Sequence, residues 1–290
     1  MADAGVSRPT DISPLARVMR RVDKAADGDH GRDAYATGFP SIDKWLGGGV
    51  RRGDLVVLGG DVQSGKSALA LAMALRMAQQ DIPAVFFTSE MSHERVMERA
   101  LAIEGRARVD DLRRGALDDF TRSGVGAAAV RFRDAVPVVA AFPPGGGVEA
   151  LSADIRRTPN AHVVIVDSLQ GLAGSTRAQD EELAAAVRIL KALAIELNIA
   201  LVLTCQLPQL QVERADPRPV LDDFGVQGAV KQHADVVLAI FREEMYRPGY
   251  GVEGATELLV RKNRNGNVGY VDLYFYKQWM RFEDMLDPDR

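Results

Sequence analysis

The segment LVVLGGDVQSGKSALALAMALRMA, residues 55–78, places a glycine-rich turn between a short apolar run and a longer one. Residues 60–67 of this segment fit the pattern G-x-x-x-x-G-K-[ST] at every fixed position. The first apolar run is typical of a buried strand, and the second has the length and spacing of a helix. A strand, a glycine-rich turn and a helix in this order form the context that a phosphate-binding P-loop requires.

The fixed positions of the turn have separate chemical uses. Backbone N–H groups wrap a polyphosphate where φ is positive, which glycine adopts without a Cβ penalty, so we expect positive φ at Gly60 and Gly65. Lys66 would place its charge on the β- and γ-phosphates, and Ser67 would offer a hydroxyl to Mg²⁺. The following helix directs its positive end at the anion. The predicted nucleotide site comprises Gly60, Asp61, Val62, Gln63, Ser64, Gly65, Lys66 and Ser67, and an ordinary glycine-rich turn is the alternative.

The composition is that of a globular protein, because 47% of its 290 residues are hydrophobic and 26% are charged. One large α/β domain fits this length, and two smaller domains are the alternative. The net charge of −4 argues against a wholly basic nucleic-acid coat but allows local basic patches. The single Cys205 permits no internal disulfide, and the four histidines are too scattered to suggest a metal site. Without a long apolar run or a secretion signal, we expect a soluble, cytoplasmic protein.

Residues 1–36 form a predicted N-terminal arm that is polar apart from one amphipathic stretch. Its apolar residues recur at three- and four-residue steps and are Ile12, Leu15, Val18, Met19 and Val22. This spacing predicts a helix over residues 12–25, followed by a loose linker. The helix could pack on its own domain or dock on a neighbouring subunit, and the sequence favours neither.

Residues 37–290 form the second predicted domain, in which short apolar runs alternate with helical patterns. The apolar runs are residues 55–58, 84–87, 136–140, 163–166 and 200–204. Such alternation predicts an α/β fold with a mostly parallel central sheet flanked by helices. The later segments DVVLAIF, TELLVRK and YVDLYFYKQW are separated by turns rather than long helices, which predicts a β-rich C-terminal extension.

Polar residues follow three of the apolar runs, at the edge of an α/β sheet where ligands bind. Glu90 ends AVFFTSE and could deprotonate or orient an attacking water. Asp167 ends HVVIVD, where a carboxylate could hold Mg²⁺ through its water shell. Gln206 ends ALVLTCQ and could sense the γ-phosphate and report it to a loop. One polar residue at a strand end is unremarkable, but three of them beside a P-loop predict a site that hydrolyses a nucleotide.

The stretch VRKNRNGNVG includes the cations Lys262 and Arg264, which come just before the tight turn at Asn265 and Gly266. A solvated hairpin tip is the simpler interpretation. If the chain assembles in a ring, the tip could instead reach the nucleotide of the adjacent subunit, where arginine stabilises charge on the transferring phosphoryl group.

The residues together resemble the RecA-like motor domain of DnaB-type replicative helicases. The matching segments, in family order, are TGFPSIDKWLGGG, FFTSEMS, VIVDSLQGL, ILKALAIELNIALVLTCQL, ERADPRPV, HADVVLAIFREEMY, RKNRNGNVG and QWMRF. The resemblance covers about residues 37–284 and implies a RecA-like P-loop NTPase fold. It also implies a homo-oligomeric, hexameric ring that uses ATP and Mg²⁺ to move along single-stranded DNA, with a replication or loader protein as a further partner.

The resemblance also implies roles for the catalytic residues. Lys66 and Ser67 would bind phosphate and Mg²⁺. Glu90 would be the catalytic carboxylate, and Asp167 would be the acid linked to Mg²⁺.

Other implied roles concern neighbouring subunits and DNA. Gln206 would couple hydrolysis to the DNA loops, and Lys262 and Arg264 would act on the ATP of the next subunit. The helix over residues 12–25 resembles the family's linker helix, which packs on the next protomer.

Two features depart from the family pattern. Only residues 1–36 precede the motor region, so we expect a motor without the N-terminal helical domain. The central loop usually carries an Arg-Glu pair, where LDDFGVQGAV places Gly225 and Val226, and CQLPQL lacks a basic residue that often follows the glutamine. We therefore expect complete nucleotide chemistry and reduced contact with DNA.

Two other functions are compatible with the sequence. One is a RecA-family ATPase resembling the RadA or KaiC branches, which acts on a protein partner or in recombination without processive unwinding. The other is a non-catalytic nucleotide-binding subunit. Glu90 argues against the second, because a pure binder has no use for a carboxylate directed at the water.

Overall fold

A computed structural model of the chain describes residues 13–26, 33–174, 178–207, 214–247, 249 and 251–285. These residues fall into two units that divide between Asp33 and Ala34. The first unit contains helix α1 (Pro14–Ala26), on which the predicted apolar residues Leu15, Val18, Met19 and Val22 are exposed. Ile12, the remaining residue of that pattern, lies outside the described residues.

The second unit alternates helices and strands. Its helices are α2 (Pro40–Trp45), α3 (Lys66–Ala78), α4 (His93–Gly105), α5 (Val109–Arg114), α6 (Asp119–Asp134), α7 (Gly147–Arg157), α8 (Gln179–Leu197) and α9 (Ala229–His233). Its strands are β1 (Ala34–Tyr35), β2 (Val50–Arg51), β3 (Leu55–Gly60), β4 (Ala84–Thr88), β5 (Val138–Ala141), β6 (Val163–Asp167), β7 (Ala200–Gln206), β8 (Val236–Phe241), β9 (Ala255–Asn263), β10 (Gly269–Tyr276) and β11 (Arg281–Asp284). None of the helices among the described residues is long and apolar enough to cross a membrane.

Nine of these strands form one sheet in the order β11-β10-β9-β8-β3-β7-β6-β4-β5. The strands from β8 to β5 pair in parallel, whereas β9, β10 and β11 add to the β8 edge in antiparallel pairs. The predicted parallel sheet and the predicted β-rich C-terminal extension are both present. Strands β1 and β2 form a separate antiparallel pair.

The central strands are buried on both faces, which explains why their sequences read as continuous apolar runs. In β3, Val56 and Leu58 join the hydrophobic core on the face covered by α3. Leu55 and Val57 point to the other face, which α8 covers. Because strand side chains alternate between faces, each apolar run supplies both cores at once.

The strands extend slightly beyond the apolar runs at the carboxyl edge. β3, β6 and β7 end at Gly60, Asp167 and Gln206, so these polar or small residues still pair with their neighbours. The outermost strand β5 begins at Val138, two residues after the start of the predicted apolar run 136–140. It starts directly after Pro137, because proline has no N–H to donate to a neighbouring strand. The carboxyl ends of β3, β6 and β7 therefore carry candidate site residues on rigid backbone.

Candidate nucleotide-binding site

The P-loop lies between β3 and α3, as its motif predicts. Gly65 is the residue before the first turn of α3 and has a left-handed conformation with φ of 105°. A Cβ added there would lie 2.8 Å from Cζ of Phe282, so both the conformation and the space require glycine. The helix that begins at Lys66 directs its free N–H groups at the loop, an arrangement that favours anions.

The prediction of positive φ at Gly60 is wrong. Gly60 is the last residue of β3, and the second left-handed residue of the loop is Gln63, with φ of 63°. Space at position 60 is tight, because an added Cβ would lie 2.5 Å from Oγ of Ser64 and 3.3 Å from Cγ of Lys66. A side chain there would require the Ser64 hydroxyl to rotate away and the Lys66 side chain to shift slightly.

A buried carboxylate stands beside the start of α3. Asp167, which is 1% exposed, accepts hydrogen bonds through Oδ1 from Oγ of Ser67 at 3.0 Å and from Oγ1 of Thr204 at 2.6 Å. Its Oδ2 is buried and has no hydrogen-bond partner among the described residues. Burial raises the pKa of the Asp167 carboxyl; the Thr204 hydrogen bond opposes that rise and the charge of Glu90 adds to it. A buried carboxylate with one unused oxygen is suited to a cation or to an ordered water.

Lys66 lies in the same arrangement. Its Nζ donates to the carbonyl oxygen of Asp61 at 2.8 Å, so the ammonium group reaches back across the loop. Burial lowers the pKa of Lys66, and the carboxylate of Asp167 opposes that shift. A partly desolvated cation in the loop interacts with an incoming phosphate more strongly than a solvated one does.

Glu90 lies near Asp167, although Glu90 follows β4 and Asp167 ends β6. It follows the end of β4, and its backbone N–H donates to Oγ1 of Thr88 at 3.2 Å. Oγ of Ser168, the residue after Asp167, donates to Oε1 of Glu90 at 3.0 Å. The Glu90 side chain is exposed, so it is accessible to a bound substrate while Ser168 holds one of its oxygens.

Gln206 ends β7 and pairs with Gly60, the first residue of the P-loop motif. The side-chain amide of Gln170 binds the backbone of Gln206 twice, because Nε2 donates to the carbonyl oxygen at 3.0 Å and Oε1 accepts from the N–H at 2.9 Å. The side chain of Gln206 is exposed. Its neighbour Cys205 is buried, which raises the pKa of that thiol to about 11. Residues 208–210 of CQLPQL lie outside the described residues.

The residues that follow β8 were given no role from the sequence, yet they contact the P-loop. The buried guanidinium of Arg242 donates through Nη1 to the carbonyl oxygen of Gln63 at 3.2 Å and forms an ion pair with Glu244. The hydroxyl of Tyr246 donates to Oδ2 of Asp61 at 3.4 Å, and burial followed by that carboxylate raises the pKa of Tyr246 to about 12. The signal available in the sequence was the position of REEMY immediately after the apolar run DVVLAIF.

Lys262 and Arg264 lie at the opposite end of the parallel strands from the P-loop, near the residues at which β3 and β8 begin. β8 runs parallel to β3, and β9 runs antiparallel to β8, so the end of β9 lies near Val236 at the start of β8. The two ends of β3, a six-residue strand, are about 17 Å apart at roughly 3.3 Å per residue. Burial lowers the pKa of Lys262, and the charge of Arg264 lowers it further. Neither cation lies beside the P-loop of its own chain.

The central loop with Gly225 and Val226 has an unusual backbone. Gly225, Val226, Gln227 and Gly228 all have positive φ, which is rare for a β-branched residue such as Val226. The Val226 side chain is 8% exposed and packs in the core on the α8 face. Val226 therefore presents no side chain to a ligand.

Two cations near this loop in the described sequence already have acidic partners. Nζ of Lys231 lies 2.8 Å from Oδ1 of Asp222. Nη1 of Arg214 lies 2.8 Å from Oδ2 of Asp223. These ion pairs reduce the positive charge available near Gly225 and Val226.

The chain matches the family described as "DnaB-like helicase C terminal domain" over residues 34–284. It is 29% identical to "Replicative DNA helicase DnaB" of Leifsonia xyli subsp. xyli (strain CTCB07), over 97% of this chain and 63% of that protein. It is 30% identical to the protein of the same name from Pasteurella multocida (strain Pm70), over 94% of this chain and 60% of that protein. The chain thus spans about three fifths of the length of these relatives.

Two solved structures share the fold. The "ATPase Domain of G40P" superposes with a TM-score of 0.83 at 24% identity, covering 95% of this chain and 100% of that one. The KaiC-like protein PH0186 from Pyrococcus horikoshii OT3 gives a TM-score of 0.59 at 16% identity, covering 87% and 98% of the two chains. The predicted RecA-like fold is therefore confirmed. The family match over most of the chain confirms the resemblance as well, and the chain belongs to the DnaB-like helicase C-terminal domain family.

Proposed function

We propose that this chain is a helicase motor that binds ATP with Mg²⁺, hydrolyses it between the subunits of a ring, and moves along single-stranded DNA. The observation that carries the proposal is the buried Asp167, bound by Ser67 on one oxygen and without a partner among the described residues on the other. This carboxylate lies beside the P-loop lysine, and Glu90 adjoins it through Ser168. A site for binding alone does not need the exposed carboxylate of Glu90.

The oxygen groups at this position suit Mg²⁺. The Ser67 hydroxyl and the unused Oδ2 of Asp167 are hard oxygen donors of the kind that Mg²⁺ prefers, with water and phosphate oxygens completing its shell. Bound there, Mg²⁺ would neutralise charge on the β- and γ-phosphates. Because Asp167 is already held by Ser67 and Thr204, little rearrangement is needed for it to serve this role.

The other steps of phosphate binding and hydrolysis are assigned to residues of the chain itself. Lys66 and the N–H groups of the P-loop bind the phosphates. Glu90 accepts a proton from the attacking water or orients it, while Ser168 donates to its Oε1. Gln206, which Gln170 holds and which pairs with Gly60, would respond to the γ-phosphate.

The location of Lys262 and Arg264 supports a site shared between subunits. Both cations lie about the length of β3 from their own P-loop, so they can act on a nucleotide only if a second copy brings its P-loop to them. In a closed ring, every subunit offers its P-loop to one neighbour and these cations to the other. We propose a homo-oligomeric ring, most simply a hexamer.

Contacts with DNA and with other proteins belong to the proposal too. Gly225 and Val226 add no charge to the central loop, so we propose a modest affinity for single-stranded DNA. One similar structure is titled "The Structure Of A DnaB-Like Replicative Helicase And Its Interactions With Primase", with a TM-score of 0.83 at 23% identity. By analogy, we propose a replication or loader protein as partner, acting in the cytoplasm.

ATP hydrolysis measured with and without a single-stranded oligonucleotide tests the proposal. We expect hydrolysis to depend on Mg²⁺ and to become faster when DNA is added. The rate per chain should also increase with protein concentration, because rings form. Sedimentation at the same concentrations should show the assembly. Hydrolysis that is unaffected by DNA at any salt concentration would favour the partner-directed RecA-family ATPase, and absence of hydrolysis in assembled protein would favour a non-catalytic subunit.

A further inference from the structure

At the end of the parallel strands opposite the P-loop, a buried carboxylate connects β8, β3 and α8. Asp235 directly precedes β8, and its side chain is 3% exposed. Its Oδ2 accepts from the backbone N–H of Leu55 at 2.8 Å and from Nζ of Lys191 at 2.6 Å. Lys191 also donates to the carbonyl oxygen of Gly53 at 2.7 Å. These bonds fix the carboxylate to β3 and to α8 without using its other oxygen.

The other oxygen faces Arg264. Oδ1 of Asp235 lies 3.3 Å from Nε of Arg264, and the Arg264 backbone N–H donates to the carbonyl oxygen of Asp235 at 2.8 Å. The Arg264 side chain is 50% exposed, and its two terminal nitrogens make no hydrogen bond to any other described residue. Nε of Arg264 is thus paired with Asp235. The two terminal nitrogens, Nη1 and Nη2, form an outer fork that is free to bind a carboxylate or phosphate.

We propose that Asp235 is a positioning residue for Arg264, holding Nε so that the outer fork is presented to the polyphosphate bound by a neighbouring copy. The inference rests on the proposed role of Arg264 between subunits. Donors that are oriented before the reaction stabilise developing charge without a reorganisation cost at that moment. Asp235 also keeps Lys191 and the Leu55 N–H as partners when Arg264 moves, so the arginine can adjust to a nucleotide without leaving a buried charge unpaired.

Asp235 could instead serve only to connect β8 with β3 and α8. A cycle of Asp235→Asn, Arg264→Ala and the double variant separates these roles. Asparagine can still accept from Leu55 and Lys191, but its neutral amide no longer attracts the arginine. Each variant is first checked for ring assembly by sedimentation, and turnover is then measured at saturating ATP and DNA.

If Asp235 acts through Arg264, Asp235→Asn lowers kcat by about tenfold and leaves KM for ATP within about twofold, because the fork matters mainly in the transition state. In the Arg264→Ala background, the same substitution then changes kcat by less than about twofold. An equal loss of kcat in both backgrounds overturns the inference and leaves Asp235 a structural role. Normal turnover by Asp235→Asn, with Arg264→Ala impaired, overturns it too.

The proposed function fails in a different way. If Arg264→Ala assembles and turns over normally, the role of Arg264 between subunits is wrong, and the inference about Asp235 falls with it. If Asp235→Asn does not fold, the wild-type protein provides the test. Exchange of the Arg264 Nε–H with solvent, followed by nitrogen-15 NMR, should be at least about tenfold slower than that of the exposed Arg114, because Nε of Arg264 forms an ion pair with the buried carboxylate of Asp235. Equal exchange rates overturn the inference.

Discussion

The two ends of β3 carry parts of the proposed site that are built differently. At the carboxyl end, Asp167 of the nearby strand β6 is 1% exposed and is held by Ser67 and Thr204. At the opposite end, Arg264 is 50% exposed and is held on one side by Asp235. At the first end, one chain supplies nearly all the groups that the proposed site needs there. The second has its hydrogen-bonding fork directed at solvent, as expected of a group whose ligand comes from another molecule.

The largest effect is expected at the complete end, from Lys66→Ala. Removing the charge that faces the β- and γ-phosphates should weaken ATP binding by about 100-fold or more and reduce hydrolysis to background. Titration with a fluorescent ATP analogue measures the affinity. Arg264→Ala is the matched control, because it removes a cation from the other end, and it should leave the affinity of isolated subunits within about threefold. Equal losses of affinity in both variants would remove the proposed distinction between the ends.

The next largest effect concerns the chemical step. Glu90→Gln should retain ATP affinity within about threefold but lower turnover by about 10²–10⁴-fold, because an amide cannot accept the proton of the attacking water. Binding and single-turnover hydrolysis separate the two quantities. A loss of affinity as large as that of Lys66→Ala would show that Glu90 contributes to binding rather than to hydrolysis.

Mixing tests whether the two ends meet across an interface. Lys66→Ala protein retains an intact Arg264, and Arg264→Ala protein retains an intact P-loop, so equal mixing should restore both parts at about a quarter of the interfaces in a random ring. Each variant alone should show little turnover, and the mixture should recover a corresponding fraction of wild-type ATPase activity. Absence of recovery, with subunit exchange shown by fluorescence energy transfer, would place Arg264 outside the shared site.

The contrast extends to DNA, where we expect a smaller effect. Because Gly225 and Val226 supply no cation, binding to a labelled oligonucleotide should fall only gently with salt, with a slope corresponding to about one or two phosphate contacts per subunit at roughly −0.7 per contact. A fluorescence anisotropy titration across a salt series measures this slope. A steep slope would show that other cations of the chain contact the backbone of the DNA.

The smallest expected effect is on stability without nucleotide. Asp167→Asn should raise Tm in EDTA by about 2–4 °C, the change that roughly 1 kcal/mol produces in a domain of this size, because it removes a buried charge. The raised pKa of Asp167 means that its charge destabilises the folded state at neutral pH and that this penalty is relieved as pH falls through the folded pKa. Calorimetry of both proteins should therefore show a Tm difference that narrows in acid. A lower Tm for the variant at pH 7 would show that the hydrogen bonds from Ser67 and Thr204 depend on the carboxylate.

The sequence by itself was sufficient for the features that depend on neighbours along the chain. The P-loop motif specified Gly65, Lys66 and Ser67, and the apolar runs predicted the parallel sheet and the strand ends at Asp167 and Gln206. Local patterns suffice here because a strand or a helix turn repeats over a few residues, and because parallel strands bring their carboxyl ends to one edge. The segment order also gave the family.

Only the tertiary structure revealed the contacts between residues far apart in the chain. Thr204 donates to Asp167 from the neighbouring strand, Ser168 holds Glu90, and Asp235 holds Arg264. It also showed that Gly60 has no positive φ and that the space around it is limited by Ser64, which the folded loop brings close to it. The physical reason is that hydrogen bonds and steric contacts act over a few ångströms in space, so a partner far along the chain leaves no periodic or compositional signal in the sequence around a residue.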